Sequence, residues 1–146
     1  MPTSRRGADS EGGVLRLAGD ANVLLSAVVR GRARLVLEHP GLEVFTTAST
    51  LAEVQEYLER LATKRRLAAD VVLLAAATLP VTIVDREDYI SKLPEASRRI
   101  SQRDPDDVEL LALALALDLT VWSNDNDFEG TGVRWLTTAQ LLRRIE

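Results

Sequence analysis

Acidic residues recur at four points along the chain, each where a predicted strand gives way to a predicted helix. The sequences GDAN, TLAEV, DPDDVELL and SNDNDF contribute Asp20, Glu53, Asp106 with Asp107, and Asp125 with Asp127. Carboxylates are the ligands that hard divalent cations prefer in proteins. Such cations are widely used in chemistry at phosphate groups. If the acids converge, the sequence predicts a site for one or two Mg²⁺ or Mn²⁺ ions.

Composition excludes several other kinds of site. The chain has no Cys, and its one His, His39, lies beside Pro40 in a predicted turn. Zinc thiolates, Cys nucleophiles and His-based triads are therefore not expected. The longest apolar run, residues 110–117, is far below the roughly 20 residues of a membrane span. Residues 1–13 also lack the apolar segment of a signal peptide, so we expect a cytoplasmic protein.

Charge gives a mixed indication about nucleic acid. The net charge of −4 at pH 7 argues weakly against nucleic-acid binding. All basic residues except Lys64 and Lys92 are Arg, which makes the better bidentate contacts to phosphate. The arginines cluster near residues 30–34, 60–66 and 98–103. These clusters indicate either phosphate contacts or a genome-wide preference for Arg over Lys.

The pattern of apolar residues predicts one α/β domain. Residues 1–13 are polar and glycine-rich, which predicts a disordered tail before a single domain at residues 14–146. Strands are predicted at residues 14–18, 43–46, 81–84, 120–122 and 133–136. Helices are predicted at residues 22–30, 50–64, 67–79, 104–117 and 137–145, with a helical turn after residue 31 and short helices within 85–103. This order implies a mainly parallel sheet with helices on both faces.

Residues 104–117 require a choice between strand and helix, because their Leu/Ala alternation has the period of a strand. Leu and Ala favour helix, however. Asp104 and Pro105 are also typical of an N-cap followed by Pro at the first helical position. We therefore predict a buried helix. The last helix is predicted to open with a capping box formed by Thr137 and Gln140.

The predicted topology places most of the acids at one edge of the sheet. In an open α/β fold, the carboxyl ends of the strands and the helix N-termini that follow share the edge that binds ligands. Asp20, Glu53 and Asp125 are expected there. Asp107 is not forced to this edge, because no strand directly precedes it.

Each acid also has a purely structural explanation, since caps, helix dipoles and turns all use acidic side chains. The explanations are an N-cap at Asp20, a capping box of Thr50 with Glu53, a helix-dipole contact of Asp106 and Asp107, and a turn at Asp125 and Asp127. Any one cluster can have a purely structural role. That all four should lie at one edge by chance is much less expected. Their joint occurrence therefore favours a metal site.

Two stretches of the chain resemble the PIN-domain nucleases, and within them the VapC-type toxins of bacterial toxin–antitoxin pairs. GDANVLLSA is similar to the family's strand-end Asp, followed by Asn and aliphatic residues. DPDDVELLALALALDLTVWSNDNDF resembles its block of Asp, helix, strand and (Ser/Thr)-x-Asp. Glu53 falls where the family has a mid-chain Glu. The resemblance spans residues 14–145 and implies a PIN-like three-layer α/β/α fold around a mainly parallel central sheet.

The resemblance also implies roles for individual residues. The catalytic acids that hold the metal would be Asp20, Glu53, Asp107 and Asp125. Asp127 resembles a less regular extra acid that can join a second ion. Asn22 and Ser123 would orient carboxylates or touch the phosphate. Ala21 departs from the family pattern, where Thr is usual, and this removes a hydroxyl but no carboxylate.

The function implied by the resemblance is that of an endoribonuclease. It would cleave single-stranded RNA to leave 5′-phosphate and 3′-hydroxyl ends, as a homodimeric toxin with an antitoxin partner. Two alternatives stay open: a non-cutting PIN-like module that binds RNA or protein, and a housekeeping RNA-processing nuclease. A receiver domain would need a strand-end Lys, which neither Lys64 nor Lys92 provides. A haloacid-dehalogenase-like phosphatase would need a second Asp where Asn22 stands.

Overall fold

The computed structural model describes residues 13–29, 31–100, 102 and 104–145. All but Gly13 of the predicted disordered tail lies outside these ranges, as do Arg30 and Arg103 of the arginine clusters. The strands are β1 (Leu15–Gly19), β2 (Leu42–Thr47), β3 (Val81–Val84), β4 (Thr120–Trp122) and β5 (Trp135–Leu136). The helices are α1 (Ala21–Val29), α2 (Arg32–Glu38), α3 (Ala48–Arg65), α4 (Ala69–Ala77), α5 (Leu93–Ile100), α6 (Val108–Leu117) and α7 (Thr138–Arg144). Short 3-10 turns occupy Arg86–Asp88, Ile90–Lys92 and Pro105–Asp107.

The five strands form one sheet in the order β3-β2-β1-β4-β5. Each neighbouring pair is parallel, so the predicted mainly parallel sheet is confirmed and is parallel throughout. β1 lies at the centre of the sheet, between β2 and β4. β2 leads into α3, and β4 leads into the loop that carries Asp125 and Asp127. Among the described residues, no helix combines the length and the apolar character that a membrane span requires.

Helices cover both faces of the sheet, which confirms the three-layer α/β/α prediction. Alternate residues of β1 enter different cores because side chains along a strand point to opposite faces. Leu17 packs into a core with α1, α2, α3, α4 and α7. Ala18 packs into a second core with α5 and α6. The two cores hold the strand ends, and therefore the acids that follow them, in a fixed arrangement.

The start of α3 differs from the prediction. The helix begins at Ala48, because the Thr47 hydroxyl accepts the backbone N–H of Thr50 at 3.0 Å and acts as the N-cap. The predicted capping box of Thr50 with Glu53 is therefore wrong, and Glu53 lies in the second turn. The predicted capping box of Thr137 with Gln140 at the start of α7 is confirmed.

The Leu/Ala segment forms α6, which confirms the predicted buried helix. The Asp104 carboxylate accepts the backbone N–H of Asp106 at 3.0 Å, and Pro105 begins the 3-10 turn that leads into α6. Asp118, in the left-handed conformation, ends the helix just before β4. A helix that connects parallel strands runs opposite to them. Ten residues rise by about 15 Å, so the N-terminus of α6 returns to the carboxyl edge of the sheet.

Candidate active site

Asp20 lies directly after β1, at the carboxyl end of the central strand. Its side chain is 4% exposed, and one carboxylate oxygen accepts the backbone N–H of Val23 at 2.9 Å. This contact confirms that Asp20 caps α1. The cap uses only part of the capacity of the carboxylate to accept hydrogen bonds. Burial, and to a smaller extent the charge of Asp125, raises the pKa of Asp20 to about 6, against hydrogen bonds from Ser123 and the backbone. Burial disfavours the charged form of this carboxylate, and a cation bound beside it would favour that form again.

The loop after β4 places two more acids beside Asp20. The buried Ser123 hydroxyl lies 3.2 Å from the Asp125 carboxylate and also forms a hydrogen bond with Asp20. The Asp125 carboxylate accepts the backbone N–H of Asp127 at 3.1 Å, which closes a tight turn. Desolvation and then the charge of Asp125 raise the pKa of Asp127. Ser123 thus makes the contacts that the predicted orienting role requires.

Asp107 joins this group from the other side, at the start of α6. Burial raises its pKa to about 8, with further contributions from the negative charges of Asp104, Asp20, Asp125 and Asp127. The tertiary structure therefore brings to the shared edge the one acid that the predicted topology left unplaced. Asp106, its neighbour, is exposed and faces Glu53 across a different part of the site.

Glu53 approaches from α3 and borders a cavity next to the acids. The cavity has a volume of about 370 Å³ and is also lined by Asn22 and Asp106. Partial burial, and then the charges of Asp106, Asp104 and Asp20, raise the pKa of Glu53 to about 6. Glu53 therefore shares the electrostatic field of the cluster, and Asn22 lies beside it. The roles of both residues stay predictions.

Asp104 is an acid of the site that the sequence pattern identified only as a helix cap. Carboxylate oxygens of Asp104, Asp107 and Asp127 all lie within 4.8 Å of one another, and each of the three side chains is half-buried. Three oxygen ligands at this separation, with raised pKa values at Asp107 and Asp127, suit the coordination of a hard divalent cation. The side chains present therefore fit the ion that the resemblance implies. In the sequence, Asp104 stood out by its position before Pro105, Asp106 and Asp107, which predicted a helix cap rather than a metal ligand.

Tyr89 is a second feature that the sequence did not identify. The ring is 2% exposed, and its hydroxyl donates to the Glu109 carboxylate at 2.6 Å. Arg86 contacts the other oxygen of Glu109 at 3.3 Å. The hydroxyl also lies close to the side chain of Thr47, the N-cap of α3. Tyr89 therefore connects the start of α3, which carries Glu53, to the start of α6 beside Asp107.

The arginine clusters make intramolecular contacts at several positions. Arg34 and Arg60 each pair with a Glu one turn away in the same helix. Arg98 and Arg99 both pair with Glu95, and Arg99 also donates to the Thr131 carbonyl at 2.7 Å. These pairs give the arginines structural partners, so their clustering alone does not define a phosphate-binding face.

Solved structures of low sequence identity share this fold. The VapBC2 complex of Rickettsia felis, bound to a promoter DNA fragment, matches with a TM-score of 0.64 and 14% identity, over 84% of this chain and 98% of that chain. A Pyrobaculum aerophilum protein matches with a TM-score of 0.69 and 18% identity, over 90% and 95%. VapC20 of Mycobacterium tuberculosis, a sarcin–ricin loop cleaving toxin, matches with a TM-score of 0.57 and 16% identity, over 80% and 95%.

No curated protein sequence gives a significant match to the chain. The family model of the PIN domain, however, matches residues 19–146. The matched range starts at the last residue of β1 and contains every acid of the site, together with all of the later elements that position them. The match also agrees with the resemblance found in GDAN and in the block from Asp104 to Asp127. The chain therefore belongs to the PIN domain family.

Proposed function

We propose that this protein is a metal-dependent endoribonuclease that hydrolyses phosphodiester bonds of single-stranded RNA, and that it is the toxin of a toxin–antitoxin pair. The observation that carries the proposal is the convergence of the Asp104, Asp107 and Asp127 carboxylates within 4.8 Å of one another, in a PIN domain. The charges of Asp20 and Asp125 act on the same group. One of the similar structures is a toxin that cleaves an RNA loop. Like charges brought this close together are unfavourable without a cation.

The carboxylates divide between holding a cation and handling protons. Asp104, Asp107 and Asp127 present converging oxygens, so we assign them to Mg²⁺ or Mn²⁺, together with Asp20 and Asp125. When bound, such an ion lowers the pKa of water and stabilises negative charge on the leaving oxygen. Ser123 contacts both the Asp20 and the Asp125 carboxylates, and its single hydroxyl proton can be donated to either of them.

Glu53 is suited to accept the proton of the attacking water. A pKa of about 6 lies near the pH at which a general base is most effective, and His39 is remote from the acids, in the turn before β2. Water attacks the phosphorus, the bond from phosphorus to the 3′-oxygen breaks, and that oxygen takes up a proton. The products are a 5′-phosphate and a 3′-hydroxyl.

Cleavage of a labelled single-stranded RNA tests the proposal. We expect cleavage with Mg²⁺ or Mn²⁺, none with EDTA, and a loss of about three orders of magnitude in Asp20→Asn, because a metal-holding carboxylate becomes a neutral amide. Glu43→Gln is the matched control, since Glu43 is exposed near the start of β2, away from the carboxyl edge. RNA binding without turnover across a panel of sequences would favour the non-cutting alternative.

An apolar groove between α1, α3 and α4 supplies a surface for an antitoxin. It has a volume of about 810 Å³ and is lined by side chains that include Val28, Leu61 and Val72, with Arg65 among them. Val71, also in its lining, is 64% exposed. An apolar segment that carries an acidic group to meet Arg65 fits this surface. One of the similar structures is a toxin–antitoxin complex from Klebsiella pneumoniae, and we propose that an antitoxin binds here.

Val71→Asp is expected to separate inhibition from catalysis. A charge placed in the groove should weaken antitoxin binding at least tenfold, whereas RNA cleavage should be unchanged because Val71 is exposed and remote from the acids. Growth arrest on expression, relieved by the product of the neighbouring gene, provides the readout. The Val71→Asp variant should stay toxic when both are expressed. A change in mass by light scattering, with relief intact, would instead assign the groove to a second copy of this chain.

A further inference from the structure

The cavity beside Glu53 opens directly onto the candidate active site. Asn22, Glu53 and Asp106, three of its lining residues, belong to the segments that carry the catalytic acids. An occupant of the cavity is therefore adjacent to a phosphate held by the acids. The volume of about 370 Å³ lies at the lower end of the range of small-ligand sites, which suits a single base better than a longer segment.

Tyr57 and Arg60, both on α3, line one side of this cavity. The guanidinium of Arg60 lies 5.7 Å from the centre of the Tyr57 ring, and it is held there by the Glu56 carboxylate at 3.3 Å. Tyr57 is 46% exposed. The other aromatic residues, all within the described ranges, are buried or half-buried. Tyr57 is thus the one aromatic ring left open to solvent, and it lies beside the acids. In complexes of proteins with RNA, bases stack on exposed aromatic rings and on Arg guanidinium planes.

The charges of the cavity distinguish a base from a phosphate. Three carboxylates, those of Glu53, Glu56 and Asp106, line it together with one guanidinium, that of Arg60. This excess of negative charge repels phosphate, but it offers hydrogen-bond acceptors to the exocyclic amino groups of adenine, cytosine or guanine. Stacking on Tyr57 is available to every base.

We propose that this cavity holds a base of the RNA strand, next to the phosphodiester that is cleaved, with the ring of Tyr57 as its stacking surface. The inference rests on the proposed ribonuclease function and adds the path of the substrate to it. It also implies that bases with an exocyclic amino group are preferred over uracil at this position.

Kinetics of RNA cleavage provide the first test. Removal of the stacking surface in Tyr57→Ala should raise KM by about 5- to 100-fold, with kcat within about twofold. Tyr57→Phe keeps the ring and should behave like the wild type. Leu35→Ala, a truncation of a side chain 58% exposed on α2, controls for a general surface effect. An unchanged KM in Tyr57→Ala, when the wild type cleaves RNA, would overturn the base site and leave the nuclease standing.

Fluorescence tests the same contact without turnover. Tyr57→Trp places an indole at the cavity, and we expect oligo(A) to quench its emission in the presence of Mg²⁺ more strongly than oligo(U). The wild type is the control, because Trp122 and Trp135 lie in the cores. Absence of cleavage by the wild type would contradict the proposed function, whereas quenching is read independently of cleavage. No quenching, combined with loss of antitoxin relief in Tyr57→Ala, would overturn the base site and assign the ring to a protein contact, since Tyr57 also borders the apolar groove.

Discussion

Replacing Asp107 with Asn should abolish RNA cleavage and make the metal-free protein more stable. Burial and the charges of four other aspartates raise the pKa of Asp107 to about 8. An amide of the same shape removes a cation ligand, so we expect kcat/KM to fall by about three orders of magnitude or more. It also removes the repulsion, which should increase the free energy of unfolding at pH 8 by about 1–2 kcal/mol, an allowance for a half-buried group.

The matched control for this substitution is at the opposite end of the same helix. Asp118 is exposed and adopts a left-handed conformation with φ of 57°, which Asn accepts readily. Asp118→Asn should therefore leave both cleavage and stability unchanged. Cleavage rates and urea denaturation of the two variants, measured with EDTA present for the denaturation, separate the two effects. An Asp107→Asn protein that cleaves RNA at the wild-type rate would remove Asp107 from the active site.

The stability of the metal-free protein should fall as the pH rises from about 4 to about 8. Asp20 and Glu53, with pKa values near 6, and Asp107, with a pKa near 8, all bind protons more tightly in the folded state than in the unfolded chain. The folded protein therefore holds more protons throughout this window, and the free energy of unfolding decreases with pH. Below the unfolded pKa values the acids are protonated in both states, so they do not destabilise the folded protein there.

Mg²⁺ or Mn²⁺ should reverse most of this loss. A cation competes with protons for the same oxygens, so it should stabilise the protein strongly at pH 8 and little at pH 5. Thermal unfolding with EDTA and with added metal, at both pH values, measures the effect, and we expect a metal-dependent rise in Tm of about 5 °C or more at pH 8. In Asp107→Asn both the pH slope and the metal effect should shrink. Stability that increases with pH in the presence of EDTA would contradict the arrangement of acids described here.

Local sequence was sufficient for the elements whose signals are short in range. β3 and β4 have the predicted bounds, and α7 opens with the predicted capping box of Thr137 and Gln140. The buried helix α6 follows from the helix preference of Leu and Ala. The predicted N-cap Asp104 caps the 3-10 turn before it, so α6 begins at Val108 rather than at the predicted start. Alternation of these elements was also sufficient to predict a parallel sheet, because a helix between two strands returns the chain to the same edge.

The start of α3 shows where local signals were insufficient. Thr50 with Glu53 matches the spacing of a capping box, but Thr47 is the N-cap and the helix begins at Ala48, two residues before the predicted start. Thr47 also lies beside the Tyr89 hydroxyl, 42 positions away in the chain, and no local pattern reveals this contact. The capping box was therefore the wrong structural explanation for Glu53, and spacing alone did not decide between Thr47 and Thr50 as the N-cap.

The acids that meet at the site divide in the same way. The sequence by itself determined that Asp20 and Asp125 follow strand ends and that Glu53 lies early in a helix, since these positions depend on strand and helix boundaries. Only the tertiary structure placed Asp107 and Asp104 among them, because that depends on how α6 packs against β1 and β2. The physical reason is that boundaries depend on the preferences of adjacent residues, whereas the distance between carboxylates depends on packing between segments far apart in the chain.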